Sequence, residues 1–375
     1  MQKKKILHIQ VLPKLSGVQT ISLEIFKGLS NLEYEKWILF SDKTDQGDIH
    51  QCIEEFEKVG VKVIFSSNLK RNIGLKDIPA TYEIYKLCRR EKFDIVHTHS
   101  TKPGIIGRIG AWFAKVPLVI HTVHGIAFHE YVKFPVWQFY WLCEMFSSIF
   151  CDKIILVNKY YGKYFKRFAK KTLTIYNGLD FKKFPLQSDE NLLTRNEIPI
   201  KILYTGRLDN QKDPLSLLAA AKIVCEKHSS ALFTIVGDGE KYQECLDFIN
   251  ENSLSSNIKL VGWQTDVAKY YQTHNIFAMS SIYESFGLIF LEAGYYNLPV
   301  VATNVEGIPE VVIDNETGFL CDPRDSVSLA NNILTLIENK SLRNQMGVVG
   351  HNYVLTNFTS DRMVSEYDLI YKQKQ

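Results

Sequence analysis

The chain has 375 residues, with 44 Lys+Arg against 41 Asp+Glu and 46% hydrophobic residues. Those proportions exclude a disordered chain, a collagen and a small disulfide scaffold, and the length suits two domains, each large enough to bury its own core. The net charge of +3 hides an asymmetry: residues 1–185 carry 29 Lys+Arg and 17 Asp+Glu, residues 186–375 carry 15 and 24, so the first half suits an anionic partner and the second does not.

The chain opens on the basic stretch Met1–Lys5. The apolar run Ile6–Leu12 behind it holds His8 and Gln10 and stops at Pro13, too short for a signal peptide and in keeping with a buried strand. Strands are expected at Lys5–Val11, Trp37–Phe40, Val61–Phe65, Asp94–His97, Leu118–His121 and Lys153–Val157. Helices are expected between them at Val18–Leu29, Ile49–Val59, Ala80–Arg90 and Gly104–Phe113. Phe134–Cys151 is mostly apolar but carries Glu144. A spanning helix needs about 20 apolar residues and a central acid is costly in one, so a largely buried helix is expected. On a helical wheel Lys159–Lys171 gathers five aromatics on one side and six cations on the other. Such a helix suits an anionic bilayer surface, or packs on its own domain with a solvated basic face. No nucleic-acid-binding module accompanies it.

Phe181–Glu197 has no apolar periodicity and contains Pro185, which marks a linker. Beyond it strands are expected at Lys201–Tyr204, Leu232–Val236, Ile258–Val261, Ile276–Met279 and Val300–Ala302. Helices fit Pro214–Cys225, Tyr242–Asn250, Leu288–Tyr296 and Ser326–Ile337. Strands alternating with helices of this length mean βαβ units, here two doubly wound α/β domains with parallel sheets. Ligands of such sheets bind beyond the carboxyl ends of the strands, and a cleft between two such domains is the natural site. The seven cysteines form no CxxC and no regular spacing, which points to reduced thiols in the cytosol.

The motifs fall at the expected strand ends. After the strand Ile276–Met279, Glu284 and Glu292 stand eight apart around Phe286–Gly287–Leu288. Free N–H groups at a helix start suit a phosphate, and a carboxylate can accept two sugar hydroxyls. Glu292 falls in the apolar run Leu288–Ala293 and needs a partner there. Gly206–Arg207 follows a strand and Lys212 precedes a helix; two fixed cations can clamp a diphosphate, or be ordinary loop charge. Gly237–Asp238–Gly239 lacks the third glycine of a dinucleotide fingerprint and reads as a close backbone approach or a tight turn. Gly17 opens a helix that can admit a phosphate. His124 ends a strand beside Gly125, while His97 and His99 alternate on another strand; with no third ligand at a recognisable spacing, a zinc site is rejected.

Together these residues resemble the GT-B glycosyltransferases of family 4, the retaining group that uses sugar nucleotides. The resemblance runs along nearly the whole chain. It is carried by Glu284–Ser285–Phe286–Gly287–Leu288 through Glu292–Ala293–Gly294, then Leu298–Pro299–Val300. In order with these stand Asn177–Gly178–Leu179–Asp180, Gly206–Arg207 with Lys212, Gly237–Asp238–Gly239, Val261–Gly262, and Gly307–Ile308–Pro309–Glu310 with Thr317–Gly318. It implies a GT-B fold, two Rossmann-like domains facing each other across a cleft. Residues 1–185 would bind the acceptor, 186–357 the nucleotide sugar, and 358–375 would form a helix able to cross back to the first domain.

The resemblance also implies roles. Arg207 and Lys212 bind the donor diphosphate, Glu292 the ribose and Glu284 the donor sugar. The amides of Gly287 and Leu288 and the loop at Gly17 meet phosphate, Gly206 and Gly237 line the nucleotide, and the base sits near Gly262. His124 lies near the donor sugar. No metal or other cofactor is implied, and no protein base, since the leaving phosphate takes the acceptor proton. The implied enzyme is cytoplasmic, at the inner face of the membrane. It moves a sugar from a UDP- or GDP-sugar to a polyprenyl-diphosphate-linked saccharide in capsule, O-antigen or exopolysaccharide synthesis. A sugar-nucleotide epimerase and a non-catalytic scaffold of the same fold are the alternatives. Two departures, Ser16–Gly17 and Glu306–Gly307 where the family often has Gly-Gly, bear on donor preference.

Overall fold

A computed structural model describes residues 3–42, 49–70, 74, 77–185 and 199–373. The chain divides into two units: Met1–Leu179 with Ser360–Gln375, and Asp180–Thr359. Most of the expected linker, residues 186–197, lies outside the described residues.

The first unit is built on β1 (Lys4–Ile9), β2 (Tyr34–Ser41), β3 (Val61–Ser66), β4 (Ile95–His99), β5 (Leu118–Val123), β6 (Lys153–Leu156) and β7 (Thr172–Thr174), in the order β3-β2-β1-β4-β5-β6-β7. Every pairing is parallel. A parallel sheet is covered by helices on both faces, so its strands are continuous apolar runs, as in Ile6, Leu7 and Ile9 of β1, all fully buried. The helix Ser360–Lys372 packs on the helix Gly17–Gly28 of this unit. Tyr34 Oη donates to Asp368 Oδ1 (2.7 Å) and Lys4 Nζ to the Tyr371 carbonyl (2.7 Å).

The second unit repeats the plan with β8 (Lys201–Thr205), β9 (Leu232–Val236), β10 (Ile258–Gly262), β11 (Ile276–Ala278), β12 (Val300–Thr303) and β13 (Gly318–Cys321), in the order β10-β9-β8-β11-β12-β13. In both sheets the first strand lies beside the fourth, which makes the β1/β4 and β8/β11 gaps the switch points where open sheets bind ligands.

All eleven expected strands are present. The sequence reading missed β7 and β13, three and four residues long, each paired on one side only. Such an edge strand needs no continuous apolar run to signal it. It also missed the helix Lys340–Asn357, whose interior holds Gly347 and Gly350. Glycine disfavours a helix, but a Cβ at Gly347 would collide with the Asn297 carbonyl, so the residue is set by close packing.

Two expectations are corrected. Phe134–Cys151 is not largely buried: the helix Val136–Ser147 and the following turn expose Phe139, Leu142, Phe146 and Ile149. Its Glu144 is buried with Met145, Ser147, Ser148 and Cys151, and pairs with Arg108 Nη1 (2.9 Å). No helix among the described residues is long and apolar enough to cross a membrane. Lys159–Lys171 is not one amphipathic α-helix but two 3₁₀ turns, Tyr160–Lys163 and Lys166–Lys171, with Phe168 outside helical geometry. The reason is packing: Tyr161 and Phe165 are buried, and Tyr160, Tyr164 and Phe168 lie against the same core. Lys171 is no surface charge either, since its Nζ donates to the carbonyls of Ser148 (2.7 Å) and Cys151 (2.6 Å).

Candidate active site

A network of polar contacts in the second unit sits at the carboxyl ends of β8 and β11. β8 delivers Gly206 and Arg207, and the loop up to Asp213 is sewn to the loop after β11. Ile282 N donates to the Gln211 carbonyl (2.8 Å), Gln211 Nε2 to the Tyr283 carbonyl (3.1 Å), and Ser280 Oγ to the Asp213 carbonyl (2.7 Å). These bonds place the Lys212 ammonium on the carboxylate of Glu284, which is buried. Arg207 stays mostly exposed, with Nη2 3.0 Å from Asp209 Oδ2 and 2.8 Å from Gln211 Oε1. Each cation therefore already has an acid beside it. The loop holds its charges in place without being strongly positive.

Gly287 caps the helix Leu288–Tyr295 with φ of 77°. A Cβ there would fall 2.5 Å from the Phe290 ring and 3.3 Å from Glu284 Cγ, so only glycine lets the helix start this close to the Lys212–Glu284 pair. The first amides of that helix, Leu288 among them, have no partner inside the helix. One turn in, Glu292 shares its surroundings with the Tyr271 hydroxyl, which also hydrogen-bonds Thr205 Oγ1 at the end of β8 (2.7 Å). Burial pushes the Glu292 carboxyl up to about 7, with the neighbouring Tyr271 hydroxyl working the other way.

The other glycines have a different role. Gly206 N donates to Val236 O (2.9 Å) and Gly237 N to Gly262 O (2.9 Å), so β8, β9 and β10 end in one layer of backbone. A Cβ on Gly237 would collide with the Gly206 carbonyl. What Gly237 admits is thus the neighbouring loop. Gly262 has φ of 69° and open space around it.

In the first unit, Gly17 is exposed at the start of its helix after β1. His124 directly follows β5 and its Nε2 lies 2.9 Å from His99 Nδ1. His99 Nε2 is 3.2 Å from His8 Nδ1, and His8 Nε2 is 3.2 Å from Tyr371 Oη. Tyr371 Oη also meets His97 Nδ1 (2.6 Å), whose Nε2 meets Thr122 Oγ1 (2.7 Å). Four imidazoles, from β1, β4 and the residue after β5, form one hydrogen-bonded chain closed by the last helix. Burial holds His124 down at about 3 and the other three well below the ordinary histidine value, so all are neutral.

A third imidazole does accompany His97 and His99, correcting the sequence reading. Nitrogens of His8, His97 and His99 lie within 4.8 Å of one another, and hydrogen bonds to Ser22, Tyr371 and Thr122 join them to the protein. Spacing along the chain hides this because His8 comes from β1, which pairs with β4 and sets His8 beside His97. Asp209 and Tyr271 were also missed; neither carries a local motif.

Residues 15–183 match the family described as Glycosyltransferase Family 4, and residues 188–352 match Glycosyl transferases group 1. A UDP-Gal:α-D-GlcNAc-diphosphoundecaprenol α-1,3-galactosyltransferase of Escherichia coli is 32% identical over 98% of this chain and 97% of its own. The chain belongs to the family 4, group 1 glycosyltransferases. This glycosyltransferase is also 28% identical to the capsular polysaccharide biosynthesis glycosyltransferase CapM of Staphylococcus aureus, over 81% of this chain and 83% of that one. Its fold is GT-B: the Anabaena protein HepE, solved in complex with UDP and glucose, superposes with a TM-score of 0.83 at 19% identity, over 99% of this chain and 100% of that one.

Proposed function

We propose that this glycosyltransferase moves a sugar, with retention, from a UDP- or GDP-sugar to a polyprenyl-diphosphate-linked saccharide during surface-polysaccharide synthesis. It would work as a cytoplasmic protein held at the inner face of the membrane. The observation that carries the reading is the Lys212–Glu284 pair beside Arg207 and the Gly287 helix start, all at the switch point of the second sheet. The relatives support the acceptor class, since the E. coli galactosyltransferase is named for a diphosphoundecaprenol acceptor.

In this reading the diphosphate lies against Arg207, Lys212 and the amides of Gly287 and Leu288. Those donors face the oxygen that gains charge as the sugar C1–O bond breaks, which is where fixed dipoles lower a barrier most. The acceptor oxygen bonds to C1 from the same face, and its proton passes to the departing phosphate. Glu284 holds a donor-sugar hydroxyl, and Glu292 takes the ribose hydroxyls. Neutral His124, oriented by His99, hydrogen-bonds the donor sugar as an uncharged group. The exposed cations Lys163, Lys166, Arg167 and Lys170 would face anionic lipid.

A panel of sugar nucleotides scored by nucleotide release, with and without a polyprenyl-diphosphate saccharide, tests this. Acceptor-dependent release that fails in Glu284→Ala supports transfer. A new sugar nucleotide formed without acceptor would mean epimerisation instead.

A further inference from the structure

The helix Val136–Ser147 is apolar on its outward side as well as where it meets the core. Its inward side is mixed: Trp137, Tyr140, Trp141 and Met145 pack on the core, and the fully buried Arg108 reaches Glu144 Oε1 (2.9 Å), Ser147 Oγ (2.7 Å) and Ser148 Oγ (3.3 Å). Its outward side is apolar: Phe139, Leu142, Phe146 and Ile149 follow a helical face and are 52, 59, 56 and 58% exposed. Soluble helices bury the apolar stripe and solvate the polar one.

The apolar face does not end with the helix. Phe150 lies 5.2 Å from the Phe146 ring and 5.3 Å from Trp112, joining the exposed Trp112 and Phe113 to the same patch. On the other flank a groove of about 570 Å³ runs between Trp137, Trp141 and Leu142 and the turns that carry Lys163, Lys166 and Arg167. These three cations are exposed.

We propose that this face docks on an anionic lipid bilayer by insertion: the helix lies in the membrane plane, its phenylalanines and leucine enter the acyl boundary, and the cations meet lipid phosphates. An apolar face rimmed by cations is what an anionic interface recognises. A second copy fits worse, because a two-fold contact through this face would bring two cationic rims together. The inference deepens the membrane part of the proposed function. It places attachment on apolar insertion, with the basic turns in support.

The test is flotation of the full-length protein with phosphatidylcholine vesicles carrying roughly one part in four phosphatidylglycerol. Wild type should float, and raising salt should reduce but not abolish it. The triple variant Leu142→Ser, Phe146→Ser, Ile149→Ser should float about tenfold less at every salt concentration. The double variant Lys166→Ser, Arg167→Ser should lose only the salt-sensitive part. Brominated lipid should quench wild-type tryptophan fluorescence, a readout needing no variant.

Flotation of the triple variant at the wild-type level, or no quenching by brominated lipid, would overturn the proposal. So would a wild-type dimer in sedimentation that the triple substitution dissociates, since the face would then be a self-interface. Acceptor-dependent nucleotide release in detergent separates this from failure of the proposed activity, because it should persist in the triple variant.

Discussion

The two units follow one strand plan and present opposite surfaces. Each sheet places its first strand beside its fourth, yet residues 1–185 carry an excess of cations and residues 186–375 an excess of acids. Among the described residues, fifteen of the twenty exposed large apolar side chains belong to the first unit. The acidic unit nevertheless holds the proposed diphosphate site, because Arg207 and Lys212 are fixed locally by loop hydrogen bonds. Net charge over a hundred residues therefore says little about a ligand held by two of them. It says more about a broad contact such as a membrane, where many exposed groups act together.

The comparison can be broken at several points. The largest effect should come from Glu284→Ala, which removes the proposed sugar contact and leaves Lys212 without its carboxylate partner. Transfer should fall by about 100- to 1000-fold, with folding intact by circular dichroism. Next is stability of the first unit: Glu144→Ala strands the buried Arg108 and should cost about 3–5 kcal/mol in chemical denaturation. A loss under about 1 kcal/mol would mean that Arg108 finds water there.

Smaller effects separate the units by pH. Glu292 has its carboxyl raised from 4.5 to about 7. Its folded-state value is the higher one, so stability is lost as pH rises from about 4.5 to about 7. Glu292→Gln should therefore melt above wild type at pH 8 and level with it at pH 4, while the donor KM rises about tenfold. His124 is shifted the other way, from 6.5 to about 3, so its share of stability is lost as pH falls below about 6.5. His124→Gln should soften the acid side of the melting profile. Equal pH profiles for both variants would show that neither shift matters. The smallest effect belongs to His99→Gln, a positioning change that should lower kcat several-fold and leave the donor KM in place.

Most of the fold was legible because parallel strands are buried on both faces and so announce themselves as apolar runs. The loop residues Gly206, Arg207, Lys212 and Glu284 were legible because each falls just past such a run. The His8–His99–His124 chain was not, since it depends on which strands pair. The exposed helix Val136–Ser147 was misread because an apolar run reports hydrophobicity, and hydrophobicity does not say whether protein or lipid covers it. The basic aromatic turns were misread for a related reason: their aromatics suit an α-helical face, but they anchor in the core around a kink at Phe168.

The division of labour between the units meets its most direct test in one transfer assay. A radiolabelled UDP- or GDP-sugar is supplied to wild type and Glu284→Ala with a polyprenyl-diphosphate-linked saccharide in anionic vesicles. The expected result is label in the lipid fraction for wild type and almost none for Glu284→Ala. Equal lipid labelling by both proteins, or label recovered only as a new sugar nucleotide, would contradict it.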